Sequence, residues 1–244
     1  MRALRATWEG LTCSFRYPHF MVGRQPSYPV PPPSTLYGLL AAARGGHFDP
    51  RDLRIAYAFT HGGTVDDLEH MHLTERASGQ RDPQLGGHPK NLVANVNPVP
   101  REMFVFPRLA LYLDVAEQAG WEQALRQPAY PVSLGRTQDL GSFVEVAWVD
   151  LERAPTGYVE GTITEAGVAE RITQTVSLPS WIDPSDRARV VFTRYDVIRE
   201  ATPLSAQAGE GLWIDPTAPR RGERARAVVW LAPWREATAA PPTP

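Results

Sequence analysis

Apolar and polar residues alternate from the start of the chain. Leu4, Ala6 and Trp8, then Leu11, Cys13 and Phe15, alternate with Arg5, Thr7, Thr12 and Ser14, which predicts a strand over residues 4–15. Glu9-Gly10 breaks the phase, as a bulge would. Residues 16–33 carry no period and read as a long irregular loop. Four prolines in SYPVPPPS hold its end extended, and Leu36, Leu39 and Leu40 then begin a helical stripe. A helix is predicted over 34–44, with Ser34 as its cap and Gly45-Gly46 as its stop. Residues 53–61 have strand character, ended by Gly62-Gly63, while 65–73 fit either a strand or a loop. Residues 74–90 hold almost nothing apolar and are expected to be exposed. The next strand spans 102–114 through Phe104, Phe106, Leu109, Leu111 and Leu113, with Pro107 marking an edge or bulge. A short helix over 116–126 turns Ala119, Trp121 and Leu125 inward, and 143–149 alternates again. Broken strands follow near 157–164, 171–178, 189–199 and 225–231.

The order strand, helix, strand, extra strands, helix, strand predicts an α+β chain. Its first half reads as a ferredoxin-like βαββαβ antiparallel sheet with an insertion. The expected division is a domain at 1–150 with the insertion near 74–90, a small β-rich extension at 151–234 packed on it, and a disordered tail at 235–244. That fold often offers its sheet or surrounding loops to RNA. It also serves many unrelated proteins, so it carries little function by itself.

Composition narrows the classes. A chain of 244 residues buries roughly 70–75% of its unfolded surface. No apolar run reaches the length of a membrane span, and MRALRATWEG reads as a strand, not a signal peptide. One cysteine, Cys13, allows no internal disulfide and fits a reducing, cytoplasmic setting. The formal net charge of -2 argues against non-specific coating of nucleic acid and leaves room for a local basic site. Lys90 is the only lysine, so arginine, with its rigid donor fork, supplies the positive charge.

Candidate catalysts are weak. His70 and His72 in EHMHL share a strand face, but no CxxC, HExxH or HxxxH completes a metal set. Asp66, Asp67 and Glu69 read as a solvated acidic stretch, and Cys13 as a small buried residue. Tyr17, His19 and Lys90 offer the groups of metal-free RNA cleavage, with no spacing that brings them together. No metal, cofactor or catalytic activity is expected. Groups suited to RNA are more numerous: Arg16, His19, Arg24 and Gln25; Lys90, Asn95, Asn97 and Arg101; and Gly135, Arg136 and Thr137 in SLGRTQD. Such a glycine–arginine turn can surround a phosphate with N–H groups and a guanidinium. A solvent-facing turn with an Arg136–Asp139 salt bridge fits the same residues. Phe20, Tyr28 and Tyr37 can stack on bases or pack in the core.

Three segments resemble a known family. FRYPHFMVGRQPSYPVPPPSTLYGLLAAARG at 15–45, NPVPREMFVFPRLALYL at 97–113 and YPVSLGRTQDL at 130–140 are similar, in order, to segments of the CRISPR-associated proteins of Cas family 5. The style is that of the type I-B branch. The resemblance implies an RRM-like, ferredoxin-like fold of the repeat-associated mysterious protein (RAMP) superfamily, with an extended thumb at 74–90. It implies a subunit that caps the backbone of a type I Cascade complex and binds the 5′ handle of the crRNA. The implied partners are the large subunit and the first backbone-filament subunit, with target DNA met through the assembled complex. The implied handle contacts are the loop at 16–28 and the Gly135-Arg136 turn. One branch, in type I-C systems, cleaves precursor RNA with a Tyr, a Lys and a His. Lys90 matches no position of that triad, so a non-catalytic subunit is expected. Trp213, Trp230 and Trp234 are candidates for an interface anchor or for core packing.

Overall fold

The computed structural model describes residues 1–20, 23–76, 81, 83–87, 92–116, 119–165, 174–206 and 211–232. In chain order these hold β1 (Arg2–Gly10), β2 (Thr12–Cys13), α1 (Pro33–Arg44), β3 (Arg54–Thr60), β4 (Gly63–Arg76), β5 (Leu92–Val105) and β6 (Arg108–Asp114). There follow α2 (Trp121–Arg126), β7 (Gly141–Asp150), β8 (Glu152–Ala154), β9 (Thr156–Val159), β10 (Thr162–Thr164) and β11 (Gln174–Ile182). The last are β12 (Val190–Ile198), β13 (Thr202–Ser205), β14 (Leu212–Asp215) and β15 (Arg226–Ala227). Lys90, Trp234 and the tail lie outside the described residues.

A central sheet has the order β3-β6-β1-β7, with every neighbouring pair antiparallel. The alternation in β1 sets its register: Leu4 faces Leu113 and Trp8 faces Leu109. The bulge falls between Thr7 and Trp8, earlier than Glu9-Gly10. The expected strands at 4–15 and 102–114 are each broken in two, and for one shared reason. Phe106 N–H donates to Leu11 O at 2.9 Å, and Gly10 N–H to Pro107 O at 3.3 Å. Two neighbouring strands thus bend together out of the central sheet, at residues suited to bending. Pro107 has no N–H to offer a ladder, and Phe106 takes φ 51°. Beyond the bend lies a second sheet, β2-β5-β4.

In that sheet β4 and β5 form an antiparallel hairpin of 14 paired positions, about 45 Å long at the usual rise per residue. Of the segment expected to be exposed at 74–90, residues 74–76 lie in β4. Arg81, Pro83, Gln84 and Gly86 there are exposed.

Helix α1 starts one residue earlier than expected. Pro32 is its N-cap, without a side-chain cap bond, and Ser34 lies inside the first turn. Pro33 replaces the cap's usual work, since its fixed φ suits the first turn and it leaves no N–H to satisfy. Gly45 closes the helix at φ 84°. Leu36, Leu39, Leu40 and Ala43 bury one stripe in the core that also holds Leu4, Ala6 and Trp8 of β1. The second helix is shorter than expected, with Trp121 and Leu125 buried and Ala119 exposed ahead of it.

Both faces of the central sheet are covered. A three-stranded sheet, β10-β12-β11, joins α1 on one side: Leu178, Tyr195 and Val197 enter the core, and Trp181 meets Tyr37 edge-on. On the other side lies a five-stranded sheet, β13-β9-β15-β14-β8. Ala3, Ala56, Tyr112 and Val149 pack there against Val228, with Trp213 and Trp230 half-buried on the cluster. These two tryptophans therefore pack inside the chain.

A buried carboxylate pins this second layer. Asp215, fully buried, accepts from Arg5 Nη1 at 2.8 Å, Tyr112 OH at 2.9 Å and Thr217 Oγ1 at 2.6 Å. Burial alone would raise its pKa, but the bonds from Thr217, Arg5 and Tyr112 hold it below the ordinary value. A depressed folded-state pKa contributes stability above the unfolded value of about 3.9, and loses it as pH falls through the folded value. Denaturant titrations should show a flat plateau above about pH 5 and an acid loss below about pH 4. Asp215→Asn should lower the plateau and shrink that acid slope. An unchanged slope in the variant would remove Asp215 as its source.

Candidate nucleic-acid interface

The loop at 16–28 is fastened to the base of the hairpin. Gln25 N–H donates to Pro100 O at 2.8 Å, and Glu102 N–H donates to Gln25 O at 2.9 Å. The loop thus runs beside β5 as one more short strand. It is closed on itself by the Arg16–Ser27 bridge and by Tyr28 N–H donating to Phe15 O at 2.7 Å. Ser27 N–H also donates to Glu102 Oε2 at 2.9 Å.

Asp66 and Glu102 face each other across β4 and β5. Like charges directly opposed are unfavourable. Arg24 resolves this: its Nη2 lies 2.9 Å from Asp66 Oδ1 and 3.0 Å from Glu102 Oε1. The bond from Arg24 holds the Asp66 carboxyl below its usual pKa. Arg101 is buried and ion-paired with Glu69. Gln25 is buried as well, its Nε2 on Met71 Sδ at 3.1 Å.

The turn after α2 is clasped to the same place. Gly135 has φ 111°, and a Cβ there would sit 2.3 Å from Ser14 O. The glycine thus serves a close approach to this chain's own backbone. Arg136 Nε lies 3.0 Å from Asp139 Oδ2 and Nη2 lies 2.9 Å from Oδ1, while Nη1 reaches Asp67 Oδ2 at 3.3 Å. Asp139 also accepts from Thr12 Oγ1 at 2.7 Å. Burial would lower the Arg136 pKa, but the bonds to Asp139 and Asp67 raise it. The Arg136–Asp139 pair read from the sequence as a solvent-facing bridge is an interior clasp. Thr137 beside it is exposed.

The aromatic residues divide sharply. Tyr28 is 1% exposed, and Tyr17 covers its ring at 3.7 Å between centroids, so its ring is closed to a base. Phe20, 45% exposed, stands edge-on to Tyr17 at 5.7 Å. Tyr37 packs in the core between Phe48 and Trp181. The exposed His19 ring lies 6.1 Å from Phe192 of β12.

The fold therefore brings Arg24, Gln25, Arg101 and Arg136 together and engages each inside the chain. Arg16, His19, Phe20 and Thr137 face outward, and Lys90 lies outside the described residues. Sequence reasoning missed Asp66, Asp67, Glu69 and Glu102 as partners of the arginines. It also missed Tyr17 as the lid on Tyr28, and Phe192. A cross-strand register would have exposed the carboxylates, but the hairpin gives no periodic signal for one.

Burial and the charge of Glu102 raise the Tyr17 pKa, which makes the hydroxyl a poorer proton donor. Cys13 is buried and its thiol pKa is raised by burial. His70 and His72 are exposed on β4. Among the described residues no three His, Cys, Asp or Glu side chains cluster as a metal set, and no helix is long and apolar enough to cross a membrane.

Comparison with known proteins adds the family. No curated protein matches the sequence. Among solved structures, a chain of a "CRISPR RNA-guided surveillance complex" is 20% identical with a TM-score of 0.52, covering 85% of this chain and 94% of that one. A CRISPR protein from Archaeoglobus fulgidus is 11% identical with a TM-score of 0.46, covering 94% and 99%. The first of these shares the fold; the second is too distant to carry an argument. The family model described as "CRISPR-associated protein (Cas_Cas5)" matches residues 3–199, well over half of the chain. The chain belongs to the Cas5 family of CRISPR-associated proteins.

Proposed function

We propose that this chain is a non-catalytic subunit of a type I CRISPR effector complex, of the I-B branch, that holds the 5′ handle of the crRNA and caps the backbone filament. The observation that carries this reading is the fastened loop at 16–28, which turns Arg16, His19 and Phe20 outward while Gln25, Ser27 and Tyr28 anchor it. A preorganised loop spares the ordering cost of binding. In this reading the β3-β6-β1-β7 sheet is the ferredoxin-like platform of the RAMP superfamily, and the β4–β5 hairpin is its thumb. With both faces of the platform covered, RNA meets loops, not the sheet. Arg24 and Arg136 act by holding the loop and turn in place.

Partner subunits have a suitable surface. Leu11, Phe106, Leu140 and Val144 are 72%, 68%, 55% and 54% exposed and line one cleft where the paired strands bend. Contiguous exposed apolar surface of this kind marks interaction sites. Phe106 holds a positive φ there, a conformation that costs about 1–3 kcal/mol for such a residue. The first backbone-filament subunit would cover this cleft, and the large subunit would meet the thumb. Each contact would bury about 1,200–2,000 Å² in total.

Co-expression with the neighbouring genes, followed by mass measurement, tests the reading. The expected result is an RNA-containing particle with a single copy of this chain. Phe106→Arg should release the chain from the particle without unfolding it. A stable free monomer that binds neither RNA nor neighbours would defeat the proposal. A particle that holds this chain but leaves its loop unprotected in an RNA footprint would make it a purely structural module. Incubation with labelled repeat RNA in EDTA tests the non-catalytic part. Single-site cleavage abolished by His19→Ala or Lys90→Ala would overturn it.

A further inference from the structure

The outer face of β12 carries features that the loop alone does not explain. Phe192 is 40% exposed, and Arg194, two residues on and on the same face, is exposed as well. Their partners across β11 are Pro179 and Ser177, too small to cover a ring or a guanidinium. The His19 ring lies 6.1 Å from Phe192 with only 30° between the planes, so loop and strand form one aromatic surface. Charge separates Arg194 from the arginines of the hairpin base. Arg24, Arg101 and Arg136 are each ion-paired with carboxylates, whereas Arg194 has no ion pair among the described residues.

A guanidinium with no ion pair among the described residues, two positions along the strand from an exposed, tilted ring pair, complements the two parts of a nucleotide. Base–aromatic stacking tolerates any base, and the cation takes the adjoining phosphate. We propose that Phe192 and Arg194 extend the RNA site from the loop onto β12. One nucleobase stacks on the outer face of the Phe192–His19 pair, and Arg194 contacts the phosphate beside it. This inference rests on the RNA-binding reading above and adds to it a strand from the second half of the chain.

The test is fluorescence anisotropy of the full chain with a labelled single-stranded repeat RNA carrying the 5′ handle, from low to moderate salt. Phe192→Ala should weaken binding roughly five- to 150-fold, as loss of one stacked base does. Phe192→Tyr should keep wild-type affinity. Arg194→Glu should weaken binding and reduce the salt slope by about 0.7, the share of one phosphate on a single strand. Thermal unfolding of each variant controls for folding. If Phe192→Ala fails to fold, Phe192→Tyr with Arg194→Glu decides, since both keep the ring in place. Wild-type affinity and slope in the folded variants would overturn the extension and leave the RNA-binding loop standing. A wild-type chain that binds no single-stranded RNA would overturn that reading, and the extension with it.

Discussion

Arg136→Glu is expected to lower stability by about 3–5 kcal/mol, the penalty for stranding one partner of a buried ion pair. Asp139 is 0% exposed at its side chain and Arg136 only 11%. The variant would leave Asp139 with the Thr12 hydroxyl as its remaining side-chain donor, and would face it with a second carboxylate. Asp67 would lose its partner as well. Loosening should be local first, so hydrogen exchange at β2 and at the inner end of β5 should quicken more than in the central sheet. The double variant Arg136→Glu/Asp139→Arg should recover part of the loss, because the pair is rebuilt with its polarity reversed. RNA affinity should fall only as far as the fold loosens. Full stability combined with a salt slope reduced by about 0.7 would instead make Arg136 a direct phosphate contact.

Gly161→Ala should be more damaging still. A Cβ at this position would lie 1.7 Å from Phe59 O, with backbone on both sides of the contact. The residue also sits at φ +57°, which costs a non-glycine residue about 1–2 kcal/mol before any clash. Its carbonyl accepts from Phe59 N–H at 2.8 Å, so the turn between β9 and β10 is stitched to the edge of the central sheet. Backbone cannot rotate away as a side chain can. The variant must pull this turn off β3, taking the fully buried Ile163 with it. A loss above about 4 kcal/mol is expected, within the tail that only a few mechanisms reach. Gly222→Ala is the control: φ is +60° there, but nothing lies within 4 Å of the added Cβ. It should cost only the conformational part. Equal denaturation midpoints for the two variants would show that the approach to Phe59 relaxes freely.

The covered faces of the central sheet bear on how such a fold meets RNA. A bare four-stranded sheet offers aromatic side chains on its open face. Here that face carries Arg5, Thr7 and Tyr112, and Asp215 from the added layer satisfies two of them. In the function proposed here, recognition would fall to the surroundings of that sheet, where the loop at 16–28 and β12 come to the surface.

The sequence by itself determined the parts that depend on near neighbours. The proline run, the spacing of Leu36, Leu39 and Leu40, and Gly45 specify α1, because helical geometry relates residues within a few positions. Its cap was misread because proline and serine both suit a helix start. The three segments that signal the family were legible for the same reason: each is a continuous run. Strand ends were not legible. The phase breaks at Glu9-Gly10 and again at Phe106-Pro107, which a bulge within one strand explains as well as a strand end, and only the bonding of these two segments to each other shows that both bend. The fate of the arginines was likewise decided by tertiary structure. Arg24 meets Asp66 and Glu102 from 42 and 78 residues away, and Arg136 meets Asp67 across 69. A guanidinium has the same charge wherever it stands in a sequence. Whether it is spent on a carboxylate or left for a phosphate depends on which distant strand the register brings beside it.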